Sequence, residues 1–253
     1  MSRDEILAEI VECPRHAFVP MPDLQIIERP GWRQLVTPSL KRGGLNEVSF
    51  ARLAPDEIDA VIDRTIAQYR ELGIRFVWRV GPDSAPAELC EHLARRGLVH
   101  GVSSGMARST EMSLVHDAQI TIEPVDAANL DAYTRTAAAG WDMDPGPLGA
   151  VNARVVEAGP PHHLFLARFD GEPAATAGSV VFARSVYLLG GVTLEKFRGR
   201  GIYRALVAAR MKHARDRGVQ LATSQARADT SAPILERLGF ETLCRYDNFS
   251  FVP

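Results

Sequence analysis

The chain has 253 residues, of which 46% are hydrophobic and 24% charged, enough to build a full core and too apolar for disorder. At roughly 150 residues per domain it falls between one large domain and two ordinary ones. Lysine and arginine total 29 against 31 acidic residues, a net charge of −2, which argues against nucleic acid as a main partner. No apolar run approaches the ~20 residues that span a bilayer. The charged start, Met1-Ser2-Arg3-Asp4-Glu5, lacks the pattern of a signal peptide, and the expectation is a cytoplasmic protein. Three widely spaced cysteines, Cys13, Cys90 and Cys244, fit a reducing compartment with neither a disulfide framework nor a zinc pair.

In chain order, Asn46 to Leu53 reads as a strand, and Pro55 to Leu72 as a helix with proline at its start and Gly73 at its end. Ile74 to Val80 is a strand, Ala85 to Arg96 a helix closed by Gly97, and Leu98 to Ala107 another strand. Near Ala118 a second set begins. Gln119 to Val125 alternates as a strand, Asp126 is placed to cap a helix running to Ala138, and Gly140 to Pro147 reads as turn. A helix is expected from Leu148 to Ala158, stopped by Gly159-Pro160-Pro161. Asp170-Gly171 then joins His163–Phe169 to Ala174–Phe182 as a hairpin.

Ser185 to Leu194 is a strand that runs into a basic, glycine-punctuated turn, and the helix Ile202 to Arg217 starts directly behind it. Leu221 to Ala226, Ser231 to Leu238 and Cys244 to Val252 complete the chain as strand, helix and strand. Both halves thus run strand, helix, strand, helix, strand. Glu71-Leu72-Gly73 matches Asp216-Arg217-Gly218, and Leu93 to Leu98 matches Leu235 to Phe240, so the chain reads as a degenerate duplication. The expected domains are 1–117 and 118–253.

The two halves differ at the turn after the first strand. The second half has Glu195 to Gly201, where Gly199 and Gly201 remove the Cβ atoms that would block a phosphate from the helix amides. Lys196, Arg198 and Arg200 add positive charge. The first half has only Leu53-Ala54-Pro55 and is expected to hold no cofactor. No Gly-Lys-Ser/Thr ends the turn, which disfavours a P-loop. Arg204 stands where a dinucleotide fingerprint needs its third glycine.

Lys196-Phe197-Arg198-Gly199-Arg200-Gly201 resembles the acetyl-CoA loop of the GNAT (GCN5-related) N-acetyltransferases, Gln/Arg-x-x-Gly-x-Gly/Ala. The upstream hairpin and the downstream Leu238-Gly239-Phe240 support the resemblance, which covers about 118 to 253. The first half resembles the non-binding repeat of tandem members. The resemblance implies an α/β (α+β) GNAT fold, a mixed twisted sheet flanked by helices, with a degenerate N-terminal GNAT-like repeat. It implies an acetyl-CoA-dependent transfer to a small-molecule primary amine, by a monomer or homodimer. A non-catalytic acyl-CoA-binding module and a longer-chain acyltransferase are the competing expectations.

By the same resemblance, the backbone of Val192, Thr193 and Leu194 pairs with the pantetheine arm, and amides from Arg198 through Ile202 to Tyr203 hold the pyrophosphate. A bulge at Gly190-Gly191 splays the strands so that the thioester enters; the pair could also simply pack under a ring. A backbone N–H near Val192 is the expected oxyanion donor. The tyrosine that many members carry before Leu-Gly-Phe is here Leu235, so Tyr203 and Tyr187 are the candidate proton donors. Glu195 reads as a solvated turn residue, and the basic face of the helix from Ile202, Arg210 included, as a solvated face. Trp141, Asp142 and Asp144 would border the acceptor. His162-His163 could titrate near neutrality.

Overall fold

The computed structural model describes residues 1–111 and 117–253; the end of the expected first domain, 112–116, lies outside the described residues. The first half contains α1 (Arg3–Glu12), β1 (Gln25–Arg29), β2 (Trp32–Val36), β3 (Glu47–Ser49), α2 (Ile58–Leu72), β4 (Phe76–Val80), α3 (Leu89–Arg95) and β5 (Val99–Ser109). The second contains β6 (Ile120–Pro124), α4 (Leu130–Trp141), α5 (Pro145–Ala158), β7 (His162–Phe169), β8 (Glu172–Val181) and β9 (Ser185–Thr193). It ends with α6 (Ile202–Arg215), β10 (Leu221–Arg227), α7 (Ser231–Arg237) and β11 (Glu241–Phe251). The mixed α/β class expected from the sequence is found.

The chain forms two compact units, and neither is one continuous stretch. One comprises Met1–Val19, Met106–Gln225 and Ile234–Glu241; the other comprises Pro20–Gly105, Ala226–Pro233 and Thr242–Pro253. The final strand is therefore counted, from Thr242 onward, with the unit built mainly from the first half.

In that unit β1, β2 and β3 are antiparallel, β3 and β4 are parallel, and β11 runs antiparallel to β4 from Asp247↔Val80 to Phe251↔Phe76. The helix α2 buries Ile58, Val61, Ile62, Thr65, Ile66 and Tyr69, a stripe at helical spacing. It faces a core that includes Trp32, Val48, Phe76 and Trp78. Tyr69 stacks on Phe76 with centroids 4.1 Å apart, and its hydroxyl donates to the Leu35 carbonyl. Gly73 ends the helix at φ 63°, as its sequence position requires.

In the other unit β6, β7, β8 and β9 are antiparallel, and β9 pairs with β10 in parallel. Alternation along β7 separates two helical layers. Phe165, Ala167 and Phe169 pack with Ile202, Ala205 and Leu206 of α6, whereas Leu164 and Leu166 pack with Tyr133 and Ala137 of α4. The hairpin turn has Asp170 at φ 49° and Gly171 at φ 80°, the paired positive values of a tight two-residue loop. α1 joins this unit: Ser2 and Glu5 form a capping box, and Ser185 Oγ donates to Glu9 at 2.6 Å.

Several boundaries depart from expectation: α2 begins at Ile58 rather than Pro55, and α3 at Leu89 rather than Ala85. α4 begins at Leu130, and Asp126 caps only a preceding turn, accepting from the Ala128 amide at 2.8 Å. The helix also continues through Gly140 to Trp141 and stops at Asp142, φ 51°. α5 begins at Pro145 because Asp144 caps it, accepting from Gly146 N at 2.8 Å, and proline is well suited to the first helical position.

Candidate active site

The site is built where β9 leaves its neighbours. Its ladder with β10 runs from Ser185↔Leu221 to Tyr187↔Thr223, and the next link is a side-chain bond, Ser224 Oγ to Leu188 O at 3.0 Å. On the other side the register with β8 shifts. Gly178 pairs with Leu189 and Thr176 with Val192, so two steps on β8 meet three on β9. The extra residue makes a β-bulge at Gly190-Gly191, with Gly190 at φ 61°. Both readings of that glycine pair hold. Gly190 supplies the left-handed turn, and a Cβ on Gly191 would stand 2.9 Å from Cε2 of the Tyr203 ring.

Beyond the bulge, the Leu194 amide donates to Ala174 O at 2.9 Å. Antiparallel alternation then turns Val192, like Leu194, toward β8, and Thr193 away from it. Of the three residues expected along the pantetheine arm, Thr193 is the one whose backbone faces away from β8. Val192 is buried against α4: a Cβ on Gly140 would lie 2.7 Å from Val192 Cγ2. That close seating brings Trp141, 40% exposed, next to the end of β9.

After β9 a short 3-10 turn, Glu195–Phe197, leads into the loop, anchored by the buried ring of Phe197. Gly199 and Gly201 adopt φ 79° and 78°, and an added Cβ would meet nothing within 4 Å at either. Gly201 is the N-cap of α6; no side chain caps the helix, and its first turn carries no acidic residue. The first-turn amides and the positive dipole end are thus left for an anion. Arg198 and Arg200 are exposed; Arg198 Nε donates to Thr193 O at 3.4 Å, and the Arg200 guanidinium lies 4.7 Å from the Phe169 ring centroid. Lys196 instead pairs with Glu172 across the surface.

Tyr203 is half-buried, and burial, the largest influence, raises its pKa. Its hydroxyl is hydrogen-bonded to Arg210, which is buried on the inner face of α6 and does not belong to a solvated face. Arg204, Lys212 and Arg217 do lie exposed. Tyr187 stands on the last rung shared by β9 and β10. Leu235 is 1% exposed and belongs to the core, and Glu195 is exposed. Asp144 is occupied as a helix cap and Asp142 ends α4.

His163, expected to titrate near neutrality, does not, and His162 is shifted in the same direction. Burial lowers both, His163 to about 4, with His213 as a second cause at a ring separation of 4.2 Å. Between pH 6.5 and 4 the unfolded chain binds a proton at position 163 that the folded chain refuses. Stability from this group is therefore full above pH 6.5 and is lost as pH falls toward 4. Partial exposure reduces the linkage to on the order of 1–2 kcal/mol. His163→Phe is expected to flatten the fall in melting temperature between pH 7 and 4.5; an unchanged slope would refute the assignment.

Among the described residues no group of three or more His, Cys, Asp or Glu could hold a metal ion. All three cysteines are free, and burial raises each thiol, Cys13 to about 12, the opposite of a nucleophile's requirement. No helix among the described residues is long and apolar enough to cross a membrane.

Residues 128–240 match the acetyltransferase (GNAT) family. The fold of the chain is that of a GCN5-related N-acetyltransferase from Kribbella flavida, at 17% identity and a TM-score of 0.68 over 99% of this chain and 95% of that one. A conserved protein of unknown function from Staphylococcus epidermidis gives 14% identity and a TM-score of 0.68, over 92% and 96%. A tandem GNAT protein from the clavulanic acid biosynthesis pathway gives 12% and 0.59, over 92% and 84%. Among curated protein sequences none matches. Residues 128–240 are thus similar to the GNAT acetyltransferases, and the chain over nearly its whole length has the fold of GNAT proteins, a tandem one among them.

Proposed function

We propose that the chain transfers an acetyl group from acetyl-CoA to a primary amine of a small molecule. The observation that carries this reading is the uncapped first turn of α6, behind an open glycine loop and beside a bulged strand that parts from its neighbour. Amides from Arg198 to Tyr203 receive the pyrophosphate, with Arg198 and Arg200 adding charge. The Thr193 backbone pairs with the pantetheine arm as an added strand would. The thioester supplies the activated acyl carbon.

In the reaction the amine nitrogen bonds to that carbon, the C–S bond breaks, and CoA leaves as thiolate. A backbone N–H of the bulge, next to Val192, stabilises the oxyanion. The amine gives its proton to water. Tyr187, on the last rung that β9 shares with β10, and Tyr203, beside the loop, are the candidate proton donors to the thiolate. The tight seating of α4 on Val192 favours a short acyl chain over a long one. Trp141 and Asp142 border the acceptor side.

Thiol release from acetyl-CoA, measured against a broad panel of amines, tests this function. Release above hydrolysis with at least one amine is expected. Binding of acetyl-CoA with no release for any amine would leave a non-catalytic module in its place.

A further inference from the structure

A buried cation stands where β9 is interrupted. Arg210 lies roughly two turns beyond Tyr203 on the same face of α6 and is 1% exposed. Its Nη1 donates to Gly178 O at 3.0 Å and to Leu189 O at 3.4 Å, and its Nε to Leu206 O at 3.0 Å. Gly178 and Leu189 form the last regular rung before the bulge. Two tyrosines also face it: Tyr203, whose hydroxyl is hydrogen-bonded to it and whose ring supports Gly191, and the buried Tyr133 of α4. No carboxylate is among these partners.

A guanidinium buried without a counter-ion is costly, and an apolar side chain would fill an ordinary helix position better. The bulge supplies the reason for it. An interrupted ladder leaves strand carbonyls facing a gap, and a single guanidinium nitrogen, Nη1, donates to two of them while Nε is held by the helix carbonyl of Leu206. The Tyr203 ring and the Arg210 head thus hold the bulge from one side at two points.

We propose that Arg210 is a positioning residue: its guanidinium fixes the bulge of β9 in the shape that acyl transfer uses, acting through the strand backbone without touching substrate. The proposal rests on the acetyl-transfer reading given above, and its test separates the two. Arg210→Met and Arg210→Lys are compared with the native chain by amide hydrogen exchange, acetyl-CoA titration and thiol release.

In Arg210→Met, exchange is expected to rise about tenfold or more in peptides covering 186–194, with little change in α2 and α3. Saturated turnover should fall about 100-fold, the scale of a small misplacement of reacting groups, while acetyl-CoA affinity stays within about threefold. Arg210→Lys, which keeps a donor, should recover about tenfold of that loss. Native turnover and native exchange in Arg210→Met would overturn the proposal, as would exchange raised uniformly along the chain. Should Arg210→Met not fold, Tyr203→Phe and Arg210→Lys give the same local readout in smaller steps. If the native chain releases no thiol with any amine, the functional reading fails and the exchange result alone decides the role of Arg210.

Discussion

Gly201→Glu is expected to abolish the rise in melting temperature that acetyl-CoA gives the native chain. Ligand at 100 times its dissociation constant stabilises a folded protein by about 2.7 kcal/mol. For a chain of this length that is a shift of roughly 5–10 °C. Two effects act together in the variant. The residue holds φ 78°, where a side chain costs about 1–2 kcal/mol. The new carboxylate also sits at the uncapped amides of α6, where it competes with the phosphate and repels it. Affinity should fall at least about 100-fold, leaving a shift of about 1 °C under the same conditions. Differential scanning fluorimetry reads this directly, and a variant that keeps the native shift would place the cofactor elsewhere.

Gly191→Ala is the second large effect. The added methyl would stand 2.9 Å from the Tyr203 ring, whose hydroxyl is tied to Arg210 and cannot retreat freely. Overpacking of this kind costs about 1–3 kcal/mol, and displacement of β9 at the bulge should lower turnover about 100-fold. The loss should be relieved by shrinking the ring. In a cycle with Tyr203→Leu, the double variant should be more stable than the sum of the single effects by about 1–2 kcal/mol. Additive costs in chemical denaturation would show that the two groups do not bear on one another.

The parts of the site that the sequence displayed are those where local chemistry and local structure coincide. Gly199 and Gly201 occupy left-handed backbone positions, and Ile202 opens a helix with an apolar face, so strand, loop and helix were all readable. The Gly190-Gly191 bulge was readable for the same reason. Arg210 was not. A charged residue on a helix reads as solvated, and its burial depends on carbonyls contributed by β8, some thirty residues earlier in the chain. Its seven-residue spacing from Tyr203, in line with Ile202 and Leu206, was the signal available.

Elsewhere, Pro145-Gly146-Pro147 looked like loop until Asp144 was recognised as a cap. The elements before Asn46 carried weaker patterns. β2 is buried at all five positions, Arg33 and Gln34 included, so it shows no alternation. The capping box at Ser2 and Glu5 was the clearer mark of α1.

The allocation of the closing strand bears on how such a chain can be divided. β11 is encoded at the end of the second half yet pairs with β4 in the unit that the first half mainly supplies. A gene fragment ending near residue 117 would carry β4 with its partner edge bare, and the complementary fragment would carry β11 without β4 to receive it. The two halves are therefore neighbours in sequence but not modules, and dividing them would amount to making a split protein whose pieces must find each other again.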